Sequence, residues 1–320
     1  MVKIGLFGLG HLGKIHLQCL LQTDQLFELI GFYEPDSNRA AEISKTFGLR
    51  AFDQPEELMR HCDAIDIVSP TSTHYSLALQ ALEHHCHLFI EKPVTQTVAE
   101  AAELLEKSKE KNRIVQVGHV ERFNPALLAL RNEKLLPRFI EAHRLAPFKP
   151  RSTDVSVVLD LMIHDLDILH FLIKSPIREI RAHGVALVSH SADICNARLE
   201  FENGCVANLT ASRISLKQMR KLRIFQEDAY LSIDFLEKKS QIVRLFDQDS
   251  GKQGLELDTP SGKKILQIEW PEAQPVNAIQ MELESFAHSI LHNQAVAVPL
   301  YDGYQALKTA EQIDSALKKS

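Results

Sequence analysis

The stretch Lys3-Ile-Gly-Leu-Phe-Gly-Leu-Gly-His-Leu-Gly13 decides how this chain is read. An apolar strand, Ile4 to Phe7, runs into Gly8-x-Gly10-x-x-Gly13, and a helical pattern (Leu12, Ile15, Leu17, Leu20, Leu21) follows at once. That order suits a dinucleotide pyrophosphate. The first glycine permits the tight turn, the second lets backbone approach phosphate, and the third lets helix and strand pack closely. The free N–H groups of the opening helix then face the anion. His11 and His16 lie beside this loop. A second strand, Glu28-Leu-Ile-Gly-Phe-Tyr33, ends at Glu34, 21 residues past Gly13. A carboxylate there accepts both ribose hydroxyls and repels a 2′-phosphate, so NAD is expected as cofactor ahead of NADP.

Strands and helices alternate up to about residue 120. Helices are expected over 37–47 (capped from Asp36 or Ser37), 73–83 and 97–111, with strands at 64–68, 88–90 and 114–117. Repeated βα units of this length predict a parallel sheet with helices on both faces. Beyond a helix at 157–173 the rhythm changes to strand-like segments at 177–188, 195–201, 205–213, 219–227, 229–235 and 241–247. Asn203-Gly204 reads as a hairpin turn between two of them. Residues 248–263 read as exposed loop, and helices return at 275–292 and 302–318. The fold class is therefore α/β. A Rossmann domain over 1–120 is followed by an α+β domain over 121–320, whose open sheet is largely antiparallel.

The chain has 320 residues, 45% hydrophobic and 24% charged, with a formal charge of −6. That balance speaks against nucleic acid or an anionic membrane as partner. No apolar run is long enough for a membrane span. The N-terminus enters strand one directly, leaving no room for a signal peptide, so a cytoplasmic location is expected. Cys19, Cys62, Cys86, Cys195 and Cys205 show no CxxC spacing and read as small hydrophobes in a reducing compartment. Glu83-His-His-Cys-His87 spans a helix-to-strand turn where its side chains diverge, so no metal is expected.

Two further motifs carry chemistry. Glu91-Lys92-Pro93 stands at the end of the strand 88–90, where a lysine ammonium can polarise a substrate oxygen. Asp160-Leu-Met-Ile-His164 places an acid and an imidazole at i, i+4 on one helix face, and Asp167 continues that stripe. Imidazole titrates near neutrality and can take the proton of an alcohol while hydride leaves the carbon.

The order GxGxxG, acidic residue after strand two, Pro70-Thr-x-x-His74, Glu91-Lys92-Pro93 and Asp160-x-x-x-His164 resembles the Gfo/Idh/MocA oxidoreductases along essentially the whole chain. That resemblance implies a dehydrogenase acting on a sugar, cyclitol or sugar-nucleotide hydroxyl, assembled as a homodimer or homotetramer. It implies Lys92 and His164 as the catalytic pair, with Asp160 holding substrate. Gly8, Gly10, His11, Leu12, Gly13, Glu34, Pro70, Thr71, His74, Glu91 and Lys92 would line the cofactor.

Gly118-His-Val-Glu-Arg-Phe-Asn-Pro125 and Arg144-Leu-Ala-Pro-Phe-Lys-Pro-Arg151 are similar to the subgroup that oxidises the 3-hydroxyl of UDP-N-acetylglucosamine. A UDP-sugar carries two phosphates, and Arg122, Arg144 and Arg151 are suited to bidentate phosphate contacts. Asn124 offers a donor and an acceptor to the sugar. The same arginines could instead pair with carboxylates. The chain departs from the wider family at Asp154-Val-Ser-Val-Val158, where a glycine run is usual, and the consequence is expected in the shape of the sugar pocket. A dehydrogenase of a free sugar or cyclitol and a non-catalytic dinucleotide sensor are the competing functions. The arginines speak against the first, and retention of Lys92 with His164 against the second.

Overall fold

The computed structural model of the chain describes residues 1–148, 155–260 and 262–318, in two compact units. The first comprises Met1–Val120 with Asn277–Lys308, the second Glu121–Val276 with Thr309–Ser320.

The first unit contains β1 (Val2–Phe7), α1 (His11–Gln22), β2 (Phe27–Tyr33), α2 (Ser37–Phe47), β3 (Ala51–Phe52), α3 (Pro55–Met59), β4 (Ala64–Ile67), α4 (Thr71–Glu83), β5 (His87–Glu91), α5 (Val98–Glu110) and β6 (Val115–Gly118). Its six strands are all parallel, in the order β3-β2-β1-β4-β5-β6. The order reverses at β1, so the loops after β1 and β4 part at the topological switch point, where an open α/β sheet binds its ligand. Local chemistry sets the helix ends. Asp36 caps α2 by accepting from the Asn38 and Arg39 N–H groups, and Gly48 closes it in the left-handed region at φ 67°. Thr97 and Glu100 form a reciprocal capping box at the start of α5.

The second unit contains α6 (Pro125–Leu128), β7 (Phe139–Leu145), α7 (Ile163–Leu172), β8 (Ile177–Val185), β9 (Ile194–Phe201), β10 (Val206–Ser212), β11 (Met219–Phe225), β12 (Ala229–Asp234), β13 (Lys239–Asp247), β14 (Leu255–Thr259) and β15 (Gly262–Glu269). Its nine strands run β14-β15-β13-β12-β11-β7-β10-β9-β8, and every neighbouring pair except β7 with β10 is antiparallel. Asn203-Gly204 makes the β9–β10 turn, with Gly204 at φ 83° and the Asn203 side chain accepting from the Cys205 N–H.

Two expectations need correction. Residues 248–263 were expected as loop, yet β14 and the start of β15 form an edge hairpin there. An edge strand such as Leu255-Glu-Leu-Asp-Thr259 buries little, so its composition resembles that of a loop. The span 121–320, expected as one domain, is divided between the two units. Helix α8 (Ala278–His292) and the start of α9 (Leu300–Leu317) join the first unit. The reason is apolar burial: Leu283, Phe286 and Ala287 are fully buried in the same cluster as Leu17, Leu20 and Phe89. Burying a Leu or Phe contributes about 1.5–3 kcal/mol each. The Gln116 amide also donates to the Glu282 carbonyl at 2.9 Å.

Candidate active site

The loop after β1 is built as its glycines require. Gly8 takes φ +91°, and a Cβ there would lie 2.6 Å from Ser69 backbone. A Cβ on Gly13 would lie 1.9 Å from the Gly8 carbonyl oxygen. A Cβ on Gly10 would meet nothing within 4 Å. Gly8 and Gly13 therefore serve the fold, whereas Gly10 leaves open the space a pyrophosphate occupies against the start of α1. His11 is exposed at the first residue of α1, and Leu12 is half-buried beside it. Glu34 is 8% exposed. Its Oε2 accepts from the Leu9 N–H at 2.8 Å, its Oε1 accepts from the Asp36 N–H at 3.1 Å, and Arg39 pairs with it at 3.2 Å. The structure thus brings the acid after β2 onto the glycine loop. The residues fit a dinucleotide with free ribose hydroxyls.

Pro70 caps and Thr71 opens α4. His74, buried on that helix, sits 2.8 Å from the Ser69 carbonyl and 3.0 Å from the Pro93 carbonyl, tying the loop after β4 to the loop after β5. Burial lowers its pKa, so the neutral ring donates to one of the two. The Lys92-Pro93 bond is cis, and the Lys92 N–H donates to Glu91 Oε2 at 3.1 Å.

In the second unit, Asp160 lies in a turn of π-helix, Val158–Met162, that leads into α7 and His164. Such wide turns recur at functional sites because they re-aim side chains. Both residues are half-buried. Asp167, one turn on from His164, is fully buried against Arg122. Ser156 supports this turn. Its hydroxyl donates to Asp314 Oδ2 at 2.7 Å and accepts from the Leu159 N–H at 3.2 Å.

The expected guanidinium cluster is corrected by the geometry. Arg122 Nε and a terminal nitrogen donate to Asp167 at 2.8 and 2.6 Å, with Arg122 also over the Phe171 ring. Arg144 donates twice to Asp165, at 3.0 and 2.8 Å, and once to Glu121 at 2.8 Å. Both arginines are less than a tenth exposed. Asn124 caps α6, accepting from the Ala126 N–H and donating to Glu121 and to the Phe235 carbonyl. The carboxylates of Glu121, Asp165 and Asp167 claim the groups that were expected on a diphosphate and sugar. Arg151 lies outside the described residues. His170 reaches Thr309 at 2.8 Å, away from the ion pairs of Asp165 and Asp167.

The family description "Oxidoreductase family, NAD-binding Rossmann fold" (GFO/IDH/MocA) matches residues 2–119, and the GFO/IDH/MocA C-terminal domain matches 138–232. UDP-N-acetylglucosamine 3-dehydrogenase of Acidithiobacillus ferrooxidans is 36% identical over 318 residues, covering 99% of this chain and 97% of that protein. The chain belongs to the GFO/IDH/MocA oxidoreductases. A solved structure of UDP-N-acetylglucosamine 3-dehydrogenase GnnA from the same organism superposes with a TM-score of 0.89 at 35% identity, covering 99% of this chain and 98% of that one. The NAD(+)-dependent scyllo-inositol 2-dehydrogenase of Bacillus subtilis is 29% identical over 67% of this chain and 68% of its own length. This family member is an oxidoreductase with an NAD-binding Rossmann domain. Among the described residues, no helix is long and apolar enough to cross a membrane.

Proposed function

We propose that this chain is an NAD-dependent dehydrogenase of a sugar nucleotide, acting on the 3-hydroxyl of a UDP-N-acetyl sugar. The observation that carries this reading is the similarity to UDP-N-acetylglucosamine 3-dehydrogenase along nearly the whole of both chains. Retention of Lys92, Asp160 and His164 supports it. NAD, when bound, supplies a two-electron hydride acceptor. In this reading His164 takes the hydroxyl proton as the C–H bond is lost and the alcohol becomes a ketone. Lys92 stabilises the developing oxyanion, and Asp160 holds a neighbouring substrate hydroxyl. Leu12, Pro70, Thr71 and His74 shape the cofactor loops in the same proposal. A cytoplasmic location and a homodimeric or homotetrameric assembly belong to the same proposal.

One observation favours a second reading, a dehydrogenase of a free sugar or cyclitol. Arg122 and Arg144 are held by carboxylates, which takes two of the three arginines out of the charge argument for a diphosphate. A panel of UDP-sugars, inositols and free sugars, followed by NADH formation at pH 8, separates the two. Turnover of UDP-N-acetylglucosamine with competition by UDP is expected. Efficient turnover of inositol or glucose with every UDP-sugar ignored overturns the sugar-nucleotide reading.

A further inference from the structure

The strand-end chemistry of the first unit includes a buried ionic cluster centred on a histidine to which the assignments above give no role. His16, on α1 just past the glycine loop, is fully buried. Its Nδ1 lies 2.9 Å from Asp66 Oδ2 on β4, and its Nε2 lies 3.2 Å from Glu91 Oε1 at the end of β5. Asp66 is fully buried and Glu91 is 7% exposed. Glu91 Oε1 occupies space that a side chain at position 118 would need, since a Cβ on Gly118 would lie 2.6 Å from it. The other Glu91 oxygen receives the Lys92 N–H at 3.1 Å.

We propose that His16 is a positioning residue for the reaction: its ring is hydrogen-bonded to Asp66 through Nδ1 and faces Glu91 with Nε2 at ion-pair distance, and the Glu91 carboxylate in turn holds the Lys92 peptide. The proposal rests on the reading that Lys92 works on the substrate. Both groups facing the ring are carboxylates. An imidazolium presents an N–H to each carboxylate, whereas a neutral ring would turn a lone pair onto one of them, and in this proposal the ring is the cation. Burial alone would lower its pKa, but Asp66 and Glu91 outweigh it and hold the pKa well above the ordinary histidine value. The other neighbours do not compete. Phe89 presents a ring edge at 5.7 Å, and burial raises the pKa of the Cys19 thiol, keeping it neutral. Stability alone does not account for this arrangement, because well-packed apolar residues often replace a buried ion cluster at no cost or with a gain. The cluster joins the helix that receives the pyrophosphate to the peptide that carries Lys92.

The test compares the intact protein with His16→Gln, His16→Leu and Glu91→Gln. In 1H–15N spectra of histidine-labelled protein, the signals lost in His16→Gln are expected to show both ring nitrogens protonated at pH 8. A neutral-ring pattern overturns the proposal. On the substrate found by the panel above, His16→Gln should lower kcat by up to about 10²-fold, the cost of a small misplacement. NADH Kd should stay near wild type, and adding Glu91→Gln should cost nothing more than either change alone. Wild-type kcat in His16→Leu overturns the proposal. Hydrogen exchange reports even where no substrate is found. The Lys92 amide should exchange about tenfold faster or more in His16→Gln, the scale of one hydrogen bond to a charged group. Exchange in α5 should be unchanged. An unmoved Lys92 amide overturns the proposal without touching the assignment of substrate.

Discussion

Replacing Arg144 by Met separates the two roles its position in the sequence allowed. Arg144 is 2% exposed and makes three charge-assisted hydrogen bonds, two to Asp165 and one to Glu121. Met keeps the apolar stem but leaves both carboxylates buried, and among the described residues the half-exposed Arg220 stands 3.5 Å from Glu121. Removing one partner of a buried pair costs about 3–5 kcal/mol, because the remaining charge has no compensation. At roughly 2–4 °C per kcal/mol for a domain of this size, Tm should fall by roughly 6–20 °C, read by calorimetry at pH 8. The penalty should shrink toward pH 5. Burial already holds the Asp165 carboxyl above its usual range with Arg144 beside it. Loss of the guanidinium raises it further, so the folded variant keeps a proton that the unfolded chain releases. Stability linked to a raised carboxyl pKa is present at low pH and lost as pH rises through the folded value. A variant with wild-type Tm and a raised KM for a UDP-sugar would refute this reasoning and return Arg144 to the diphosphate.

Lys92→Ala and His164→Ala should each lower kcat by roughly 10²-fold or more with NADH binding little changed, and near-normal turnover in His164→Ala would remove it as the base. Gly10→Ala should leave Tm near wild type, since its Cβ meets nothing within 4 Å, yet weaken NADH binding in a fluorescence titration. Gly13→Ala should destabilise the apoprotein outright, its Cβ falling 1.9 Å from the Gly8 oxygen. On acidification, His87 should contribute a loss of stability. Its Nδ1 accepts the Ile114 N–H, and burial holds its pKa down to about 4. The unfolded chain binds a proton below about pH 6.5 while the native ring stays neutral, so stability falls from pH 6.5 to 4. Tm measured across that range should flatten in His87→Asn.

Much of this architecture was legible because the first unit obeys local rules. The apolar strand, glycine spacing and helix period of 2–22 agree with one another, as do Asp36 and Gly48 at the two ends of α2. What escaped was set by contacts remote in sequence. Strand β7 alternates inward and outward, but the charged Arg144 stands at an inward position, which hides the apolar period. Its burial makes sense only with Glu121 and Asp165, which arrive from elsewhere in the chain. The arginines were visible, and the acids that hold them were read as parts of other motifs. His16 left a fainter signal. It shares the buried face of α1 with Leu17, Cys19 and Leu20, and Asp66 interrupts the buried strand Ala64-Ile-Asp-Ile67. A charge of each sign at fully buried positions implies that they meet.

Cofactor preference should be inseparable here from the shape of the phosphate loop. In the simplest picture Glu34 serves only as a filter, accepting ribose hydroxyls and repelling a 2′-phosphate. The structure gives it a prior duty, because Oε2 fixes the Leu9 N–H between Gly8 and Gly10, and Oε1 fixes the Asp36 N–H that opens α2. Glu34→Ala therefore does two things. It removes the repulsion and takes away one of the two carboxylates on Arg39, at 3.2 Å, leaving Asp36 at 3.3 Å, so the guanidinium can turn in part toward a phosphate. It also leaves the buried Leu9 N–H without its acceptor, a loss of about 1.5–3 kcal/mol for a bond to a charged group. NADH should bind more weakly from both effects, and NADPH should gain from one and lose from the other. The preference narrows mainly because NADH binding worsens. Titration of both cofactors against Glu34→Ala and Glu34→Gln checks this, since the amide keeps an acceptor for Leu9 without the charge. If Glu34→Gln bound NADH as weakly as Glu34→Ala, the backbone role would be refuted and the filter alone would remain.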